Sequence, residues 1–279
     1  MLSIVETIRY IFQFYIDKGR RRYAIDVGAH VGVFSKELVD SGLFEEVVAF
    51  EPNPQNAEAL LGLAENESSL TLVRFAVGAT QGICDFYCDK NTATGSLLPY
   101  SQAYVTDGDV IKQSVPVITL DTYCTSEDFE GRQLAFLKID TQGHDLAVIQ
   151  GAAKVLLSDR PLVVAELIYI SMYSRQATPE ETADQMKIYG YQLYTLFNIH
   201  STVEGRLAYA DALFVPAELD VPQSQQYVQL DNQIQIKTLE DICHERLLLI
   251  NKLSAETERL RGHGFKLLSR LKRLVSWGR

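Results

Sequence analysis

The sequence contains few cysteines and no long uninterrupted apolar run. No C-x-x-C pair occurs among its four cysteines, Cys84, Cys88, Cys124 and Cys243, so the ligand spacing of a zinc site is missing. No run reaches the ~18 apolar residues of a membrane-spanning helix. Glu6 and Arg9 interrupt the apolar N-terminal stretch, which is unlike a secretory signal. These absences favour a cytoplasmic protein with buried, reduced thiols.

Positive charge is also scarce, and it is unevenly distributed. The formal net charge of −10 argues against nucleic acid as a partner, because phosphates bind basic surfaces. All charged residues after Glu258, however, are Lys or Arg. A chain of 279 residues with 47% hydrophobic residues is long enough to bury a sizeable core.

A glycine turn near the N-terminus indicates a ligand site. An apolar run over residues 23–27 carries Asp26 and is followed by Gly28 and Gly32, as in the first strand, turn and helix of a doubly wound fold. Glu51 ends the next apolar run at the ~20-residue spacing at which an acid binds ribose hydroxyls. The middle glycine that admits a pyrophosphate is missing, which favours a nucleoside ligand without phosphates, such as S-adenosylmethionine.

The hydrophobic pattern predicts an α/β fold in which strands and helices alternate, and therefore a mainly parallel sheet. A final hairpin would add one antiparallel strand. The predicted helices include residues 2–16, 31–41 and 54–66, and the predicted strands are residues 23–27, 46–50, 70–77, 82–88, 115–120, 134–139, 161–165, 191–197 and 212–215.

Four segments are predicted along the chain: an N-terminal helix within residues 1–22, a domain over 23–216, a linker over 217–235 and a helical tail over 236–279. The tail is a coiled coil, a basic amphipathic helix, or both, because Lys266, Arg270 and Lys272 flank an apolar stripe. Two interpretations stay open: peripheral contact with the inner membrane face, and self-association.

Several motifs together resemble the FkbM-type S-adenosylmethionine-dependent methyltransferases, over about residues 23–216. They are Ile25–Gly32, Phe50–Pro52, Ala76–Gly78, Val117–Asp121, Leu137–Asp145 and Gly151–Ala152. The resemblance implies a Rossmann-like class I methyltransferase fold: a mainly parallel seven-stranded sheet, an antiparallel last strand and, here, a C-terminal helical extension. It also implies O-methylation of hydroxyls on sugars, glycans or polyketides. Two departures are Gln142, where the family usually has Glu, and Arg74-Phe75, where Asn is often found.

The expected cofactor contacts come from the first turn, the second strand and the Ala-Val-Gly motif. They are Asp26, Gly28, His30, Gly32, Glu51, Pro52, Ala76 and Val77. His30 is equally explained by loop packing.

Methyl transfer to a sugar hydroxyl requires removal of a proton, so a base or a metal is expected. Asp140, at the end of a core strand, is a candidate catalytic residue and also a good helix N-cap. His144 is a candidate general base, or equally a solvated helix residue. Glu166 is expected at the end of the next strand, where it and Asp140 could ligate Mg²⁺. Two carboxylates are a weak signal, so a metal is the less favoured interpretation.

Residues for the acceptor are expected in a polar insertion over residues 89–114 and after the last strands. Tyrosines in the insertion would suit stacking on sugar faces in an acceptor-binding lid. The predicted acceptor residues are Ser96, Tyr100, Glu166 and His200.

The sequence therefore predicts an S-adenosylmethionine-dependent O-methyltransferase acting on a sugar, glycan or glycolipid hydroxyl. The alternatives are methylation of a small-molecule natural product and a non-catalytic scaffold with a degenerate fold. A nicotinamide dehydrogenase is disfavoured by the missing middle glycine.

Overall fold

The computed structural model describes residues 2–14, 21–125, 129 and 132–219. Almost all of the predicted linker, the whole helical tail and Cys243 lie outside the described residues. Within the described part of the chain, no helix is long and apolar enough to cross a membrane.

Ten strands and seven helices are described. The strands are β1 (Arg21–Val27), β2 (Glu46–Phe50), β3 (Leu70–Val73), β4 (Ala76–Val77), β5 (Gly82–Cys88), β6 (Ile111–Ile118), β7 (Arg132–Ile139), β8 (Leu162–Ile168), β9 (Tyr191–Ser201) and β10 (Leu207–Pro216). The helices are α1 (Ile4–Ile11), α2 (Val33–Ser41), α3 (Pro54–Ala64), α4 (Leu120–Cys124), α5 (Asp145–Gln150), α6 (Ala153–Asp159) and α7 (Pro179–Ile188).

Seven strands form the main sheet in the order β3-β2-β1-β7-β8-β10-β9. The first five are mutually parallel, and β10 runs antiparallel to both β8 and β9. The loop between β9 and β10 is too short for a crossover, so those strands must form a hairpin. The predicted Rossmann-like fold, a mainly parallel sheet with an antiparallel last strand, is confirmed.

The predicted third strand, residues 70–77, is wrong as a single element. Strand β3 ends at Val73, and β4 belongs to a second, three-stranded sheet in the order β4-β6-β5. Arg74 and Phe75 are exposed, whereas Ala76 packs in a separate apolar cluster with Phe86 and Val117. Ala76 and Val77 pair with β6 instead of β2. Ala76 packs in the second cluster, whereas Val77 packs in the main core.

One helix prediction is also revised, and the helical segment after β7 is interrupted. Helix α1 begins with a capping box between Ser3 and Glu6 but ends at Ile11, short of the predicted residue 16. The helix after β7 is divided into α5 and α6 at Gly151, where an added Cβ would lie 2.1 Å from the backbone oxygen of Gly78. Gly151, between the two helices, therefore packs directly against Gly78 of the Ala-Val-Gly segment.

Glu166 does not end its strand, because β8 continues to Ile168. Its antiparallel partner is Asp211 on β10, and this pairing extends the ladder past the point that the apolar run predicts. Cys84 is exposed rather than buried, while Cys88 is buried as expected. The two cysteines share one face of β5, but only its second half, from Phe86 onward, is covered on that face.

Candidate functional site

A cleft of about 190 Å³ opens where β1, β2 and β7 reach their carboxyl ends. This is the edge at which doubly wound sheets bind ligands. The walls come from those strand ends, the β4 segment and the insertion. The lining residues are Val27, Gly28, His30, Phe50, Glu51, Pro52, Phe75, Ala76, Val77, Phe86, Thr92, Ala93, Gly95, Ser96, Leu97, Asp140, Thr141, Gln142 and His144.

The turn after β1 is built around Gly28. Its φ of +81° lies in the left-handed region, and an added Cβ would lie 1.9 Å from the backbone oxygen of Asp140. The Gly28 and Ala29 amides both donate to the Phe50 carbonyl, each at 3.0 Å. Glycine is therefore required here by conformation and by space.

Glu51 is a buried acid that lines the cleft. One carboxylate oxygen accepts the His30 amide and the other the Asn53 amide, each at 2.8 Å. Burial raises the pKa of Glu51 to about 7, although the hydrogen bonds from Asn53, His30 and Asn56 oppose that rise. A carboxylate oxygen accepts more than one hydrogen bond, so Glu51 retains capacity for a ligand diol.

Asp140 follows β7 and lines the same cleft. The Lys138 ammonium donates to one of its oxygens at 3.0 Å, and the Gln142 side-chain amide donates to the other at 2.8 Å. Burial disfavours the ionised form, but Lys138 and Gln142 outweigh it and hold the pKa of Asp140 below its usual range. Asp140 is therefore a carboxylate at neutral pH.

The pKa values of the acids around Asp140 shift in the opposite direction, upward. Burial and the charge of Asp140 raise the pKa of Asp145 to about 7 and that of Glu166 well above its usual range. Burial also raises the pKa of Asp26. The surroundings thus lower the pKa of one acid and raise the pKa of the others, which is the pattern of an acid–base site.

His144 lies at the N-cap position of α5 and contributes its imidazole to the cleft wall. Its Nε2 lies 3.2 Å from a Cβ built on Gly78, and no described residue forms a hydrogen bond with the ring. Burial lowers the pKa of His144, so the imidazole is neutral at pH 7. A neutral imidazole without a partner has a lone pair available to accept a proton.

The insertion forms a wall of the cleft. Ser96 is buried, and its hydroxyl donates to the backbone oxygen of Gln142 at 2.7 Å. The Tyr100 ring stacks on Tyr104 and Tyr173, with centroids 5.2 Å and 5.5 Å apart. Ser96 lines the cleft, whereas Tyr100 does not. Both residues fix the insertion against the protein, and their contact with an acceptor stays a prediction.

Three other predicted residues lie away from the cleft. Asp26 is completely buried and accepts a 2.7 Å hydrogen bond from Ser35, so it supports the sheet edge from beneath. Gly32 packs against α3, where an added Cβ would lie 2.4 Å from Leu60 Cδ1. His200 is exposed on β9 and stacks on Tyr209. Of the predicted cofactor residues, the other six do line the cleft.

The two candidate metal ligands, Asp140 and Glu166, are already bridged by the side-chain amide of Gln142. Gln142 Nε2 donates to Asp140 at 2.8 Å and to Glu166 at 2.9 Å, and its Oε1 accepts from the Tyr173 hydroxyl at 2.9 Å. A cation between the two carboxylates would have to displace that amide. No cluster of three or more metal-ligating side chains occurs in the described ranges, and these residues do not fit a metal site.

Sequence reasoning did not assign site roles to several residues that shape the cleft. Lys138 had a signal, since a charge inside a buried apolar strand is costly without a partner. Gln142 and His30 adopt positive φ, which no sequence pattern reveals for such residues. Thr92 reaches His30 from the insertion, with Oγ1 2.9 Å from Nε2, and nothing in its surroundings in the sequence indicates that contact.

The chain was compared with known proteins. The profile described as "Methyltransferase FkbM domain" matches residues 26–193, which is more than half of the chain. A search of curated proteins found no match.

Solved structures with a similar fold include methyltransferase FkbM from Methylobacillus flagellatus KT, at 17% identity and a TM-score of 0.45; the alignment covers 73% of this chain and 47% of that one. The chain thus spans about half the length of that protein. Precorrin-6y C5,15-methyltransferase from Geobacter metallireducens GS-15 has 11% identity, a TM-score of 0.40 and coverages of 76% and 86%. Fibrillarin from Aeropyrum pernix, natively bound to S-adenosyl-L-methionine, has 10% identity, a TM-score of 0.41 and coverages of 75% and 74%.

Proposed function

The chain belongs to the FkbM methyltransferase family, and from that premise we propose that it is an S-adenosylmethionine-dependent O-methyltransferase acting on a sugar, glycan or glycolipid hydroxyl. The observation that carries the proposal is a single cleft lined by Glu51, ionised Asp140 and neutral His144. Glu51 can accept hydrogen bonds from a ribose diol, Asp140 supplies a negative charge, and His144 can act as a general base.

The cleft fits the cofactor by its chemistry. Glu51 would accept hydrogen bonds from the ribose hydroxyls, while Phe75, Ala76 and Val77 offer apolar surface for the adenine ring of the cofactor. The bound cofactor supplies an activated methyl group on a positively charged sulfur.

The chain's own residues would prepare the acceptor. The neutral imidazole of His144 would take the proton from the acceptor hydroxyl, a role that contributes typically 10²–10⁴-fold to a rate. Asp140, held ionised by Lys138 and Gln142, would stabilise positive charge in the cleft. Orientation of the acceptor by the surrounding walls would supply much of the remaining acceleration.

Cofactor binding is tested by calorimetry with S-adenosylhomocysteine and with NADH. We expect S-adenosylhomocysteine to bind and Glu51→Ala to weaken it by at least about tenfold, because a hydrogen bond to a charged group contributes about 1.5–3 kcal/mol. Glu58→Ala, which removes an exposed acid from α3, should have no effect. Tight NADH binding, or unchanged affinity in Glu51→Ala, would contradict the proposal.

Methyl transfer is tested by incubating the protein with methyl-labelled cofactor and separate glycan, glycolipid and small-molecule extracts. We expect label in a glycan or glycolipid fraction and a loss of at least about 100-fold in His144→Ala. Label confined to small molecules would instead favour the natural-product alternative. No transfer despite cofactor binding would favour the scaffold.

A further inference from the structure

A second cavity adjoins the cleft and shares one side chain with it. This groove, of about 500 Å³, is lined in part by Leu98, Leu146 and Ala147. His144 is the residue that lines both the groove and the cleft. The two cavities therefore meet at His144, whose imidazole has no hydrogen-bond partner among the described residues.

The segment between the cavities is fixed in place. Gly143 has a φ of +83°, and an added Cβ would lie 3.0 Å from Gln176 Cβ and 3.1 Å from the Tyr173 ring. The loop after β8 thus packs directly on the residues that precede His144. A molecule in the groove would meet the imidazole at a defined position rather than across a mobile surface.

The groove contains one cation without an acidic partner. Arg175 is exposed, and within the described residues nothing pairs with its guanidinium. Such an isolated cation is notable in a chain with 36 acidic and 26 basic residues. The acid that also lines the groove, Glu181, is engaged in the capping box of α7, where it accepts the Thr178 amide at 2.8 Å.

The backbone on both sides of Arg175 is firmly held, although Arg175 itself has a φ of +64°. The Ser174 amide donates to the Pro99 carbonyl at 2.8 Å. The Gln176 carboxamide accepts from the Met172 and Tyr173 amides at 2.9 Å and 2.8 Å. The surroundings therefore hold the backbone at Arg175, a residue that lines the groove.

We propose that this groove binds the acceptor, and that the acceptor is a sugar carrying an acidic group, a carboxylate or a phosphate, which Arg175 binds. This inference rests on the proposed function. A planar guanidinium recognises both anions bidentately, and the apolar wall of Leu98, Leu146 and Ala147 suits the C–H face of a sugar ring. The acidic group lies at Arg175, away from the Asp140 carboxylate that would repel it, and a hydroxyl faces His144.

The test measures binding of three small sugars to the full chain saturated with S-adenosylhomocysteine. Glucose is the neutral probe, glucuronate carries a carboxylate and glucose 6-phosphate carries a phosphate. We expect at least one acidic sugar to bind about tenfold more tightly than glucose, and the preferred one identifies the acidic group. Arg175→Ala should abolish that preference, whereas Arg206→Ala, which removes an exposed charge from the β9–β10 turn, should preserve it.

Equal binding of the three sugars, no binding of any of them, or an unchanged preference in Arg175→Ala would overturn the proposal. Cofactor affinity is measured separately in each variant. Loss of S-adenosylhomocysteine binding in the wild type would count against the proposed function, whereas normal cofactor binding without an acidic preference would count against the groove alone.

Discussion

The acids at the carboxyl edge of the sheet have different charges because their neighbours differ. Asp140 has a cation and an amide donor beside it and is ionised. Glu166 is buried beside like charges, and its pKa is raised. Glu51 lies between these extremes, since backbone donors only partly offset its burial. Its charge therefore changes near neutral pH.

Cofactor affinity should consequently depend on pH through Glu51. With a pKa of about 7 in the free protein, the carboxylate is mostly protonated at pH 6 and mostly ionised at pH 8. If the ligand diol binds the ionised form, affinity for S-adenosylhomocysteine should rise about tenfold between these values. Calorimetry at both pH values measures this, and Glu51→Gln should remove the rise. Affinity that stays constant in the wild type would contradict it.

Gln142 should be unusually sensitive to the introduction of charge. Gln142→Glu would replace an amide donor with a third carboxyl group beside Asp140 and Glu166. The pKa of the new acid would be raised in the folded protein, so its contribution to stability declines as pH rises above its unfolded value. We expect a loss of roughly 1–3 kcal/mol at pH 8 and less at pH 5, measured by urea unfolding.

Gln142→Met provides the control, because it removes the donors without adding charge. Its loss of stability should be similar at both pH values. Equal losses at pH 5 and pH 8 in Gln142→Glu would show that like-charge repulsion is not the dominant effect at this position.

At the scale of elements, α2 is bounded by two left-handed glycines that differ in their surroundings. Gly32 has a φ of +86° and would place a Cβ 2.4 Å from Leu60 Cδ1, whereas Gly42 has a φ of +64° and open space. Gly42→Ala should lose about 1 kcal/mol from backbone strain alone. Gly32→Ala should lose about 1–3 kcal/mol more, because α3 must shift.

Chemical unfolding of the two glycine variants measures that difference. Equal losses would show that the Gly32 position tolerates a side chain by small movements of Leu60. Because Gly32 does not line the cleft, cofactor affinity should change little in either variant when it is measured under conditions in which the protein is folded.

The sequence predicts elements better than their ends. The alternation of apolar runs and helical patterns predicts the order of strands, and the short β9–β10 connection predicts the hairpin. Arg74 interrupts the run over residues 70–77, but the sheet that Ala76 and Val77 join is decided by tertiary packing. Glu51 and Asp140 could be identified because each follows a strand, and His144 because it comes one helical turn after Asp140. Gln142 depends on a positive φ and on Tyr173 across the fold.

At the scale of the whole molecule, the tail remains a separate prediction. Deleting residues 262–279 should leave cofactor affinity unchanged and reduce binding to anionic liposomes, because that segment contributes basic residues and no acids. Each basic residue near an anionic surface contributes about 1 kcal/mol. Vesicle co-sedimentation measures this, with neutral vesicles as the control. Unchanged liposome binding would remove the membrane interpretation, and a change in sedimentation coefficient would favour self-association.

The position of β10 inside the main sheet has a consequence for biosynthesis. Strand β8 is complete once Ile168 has been translated, yet its partner on one side, β10, ends at Pro216. A nascent chain therefore carries an apolar strand with an unpaired edge until the last hairpin leaves the ribosome, and such edges promote aggregation. Premature termination before Leu207 should yield insoluble product, even though every residue lining the cleft has already been synthesised.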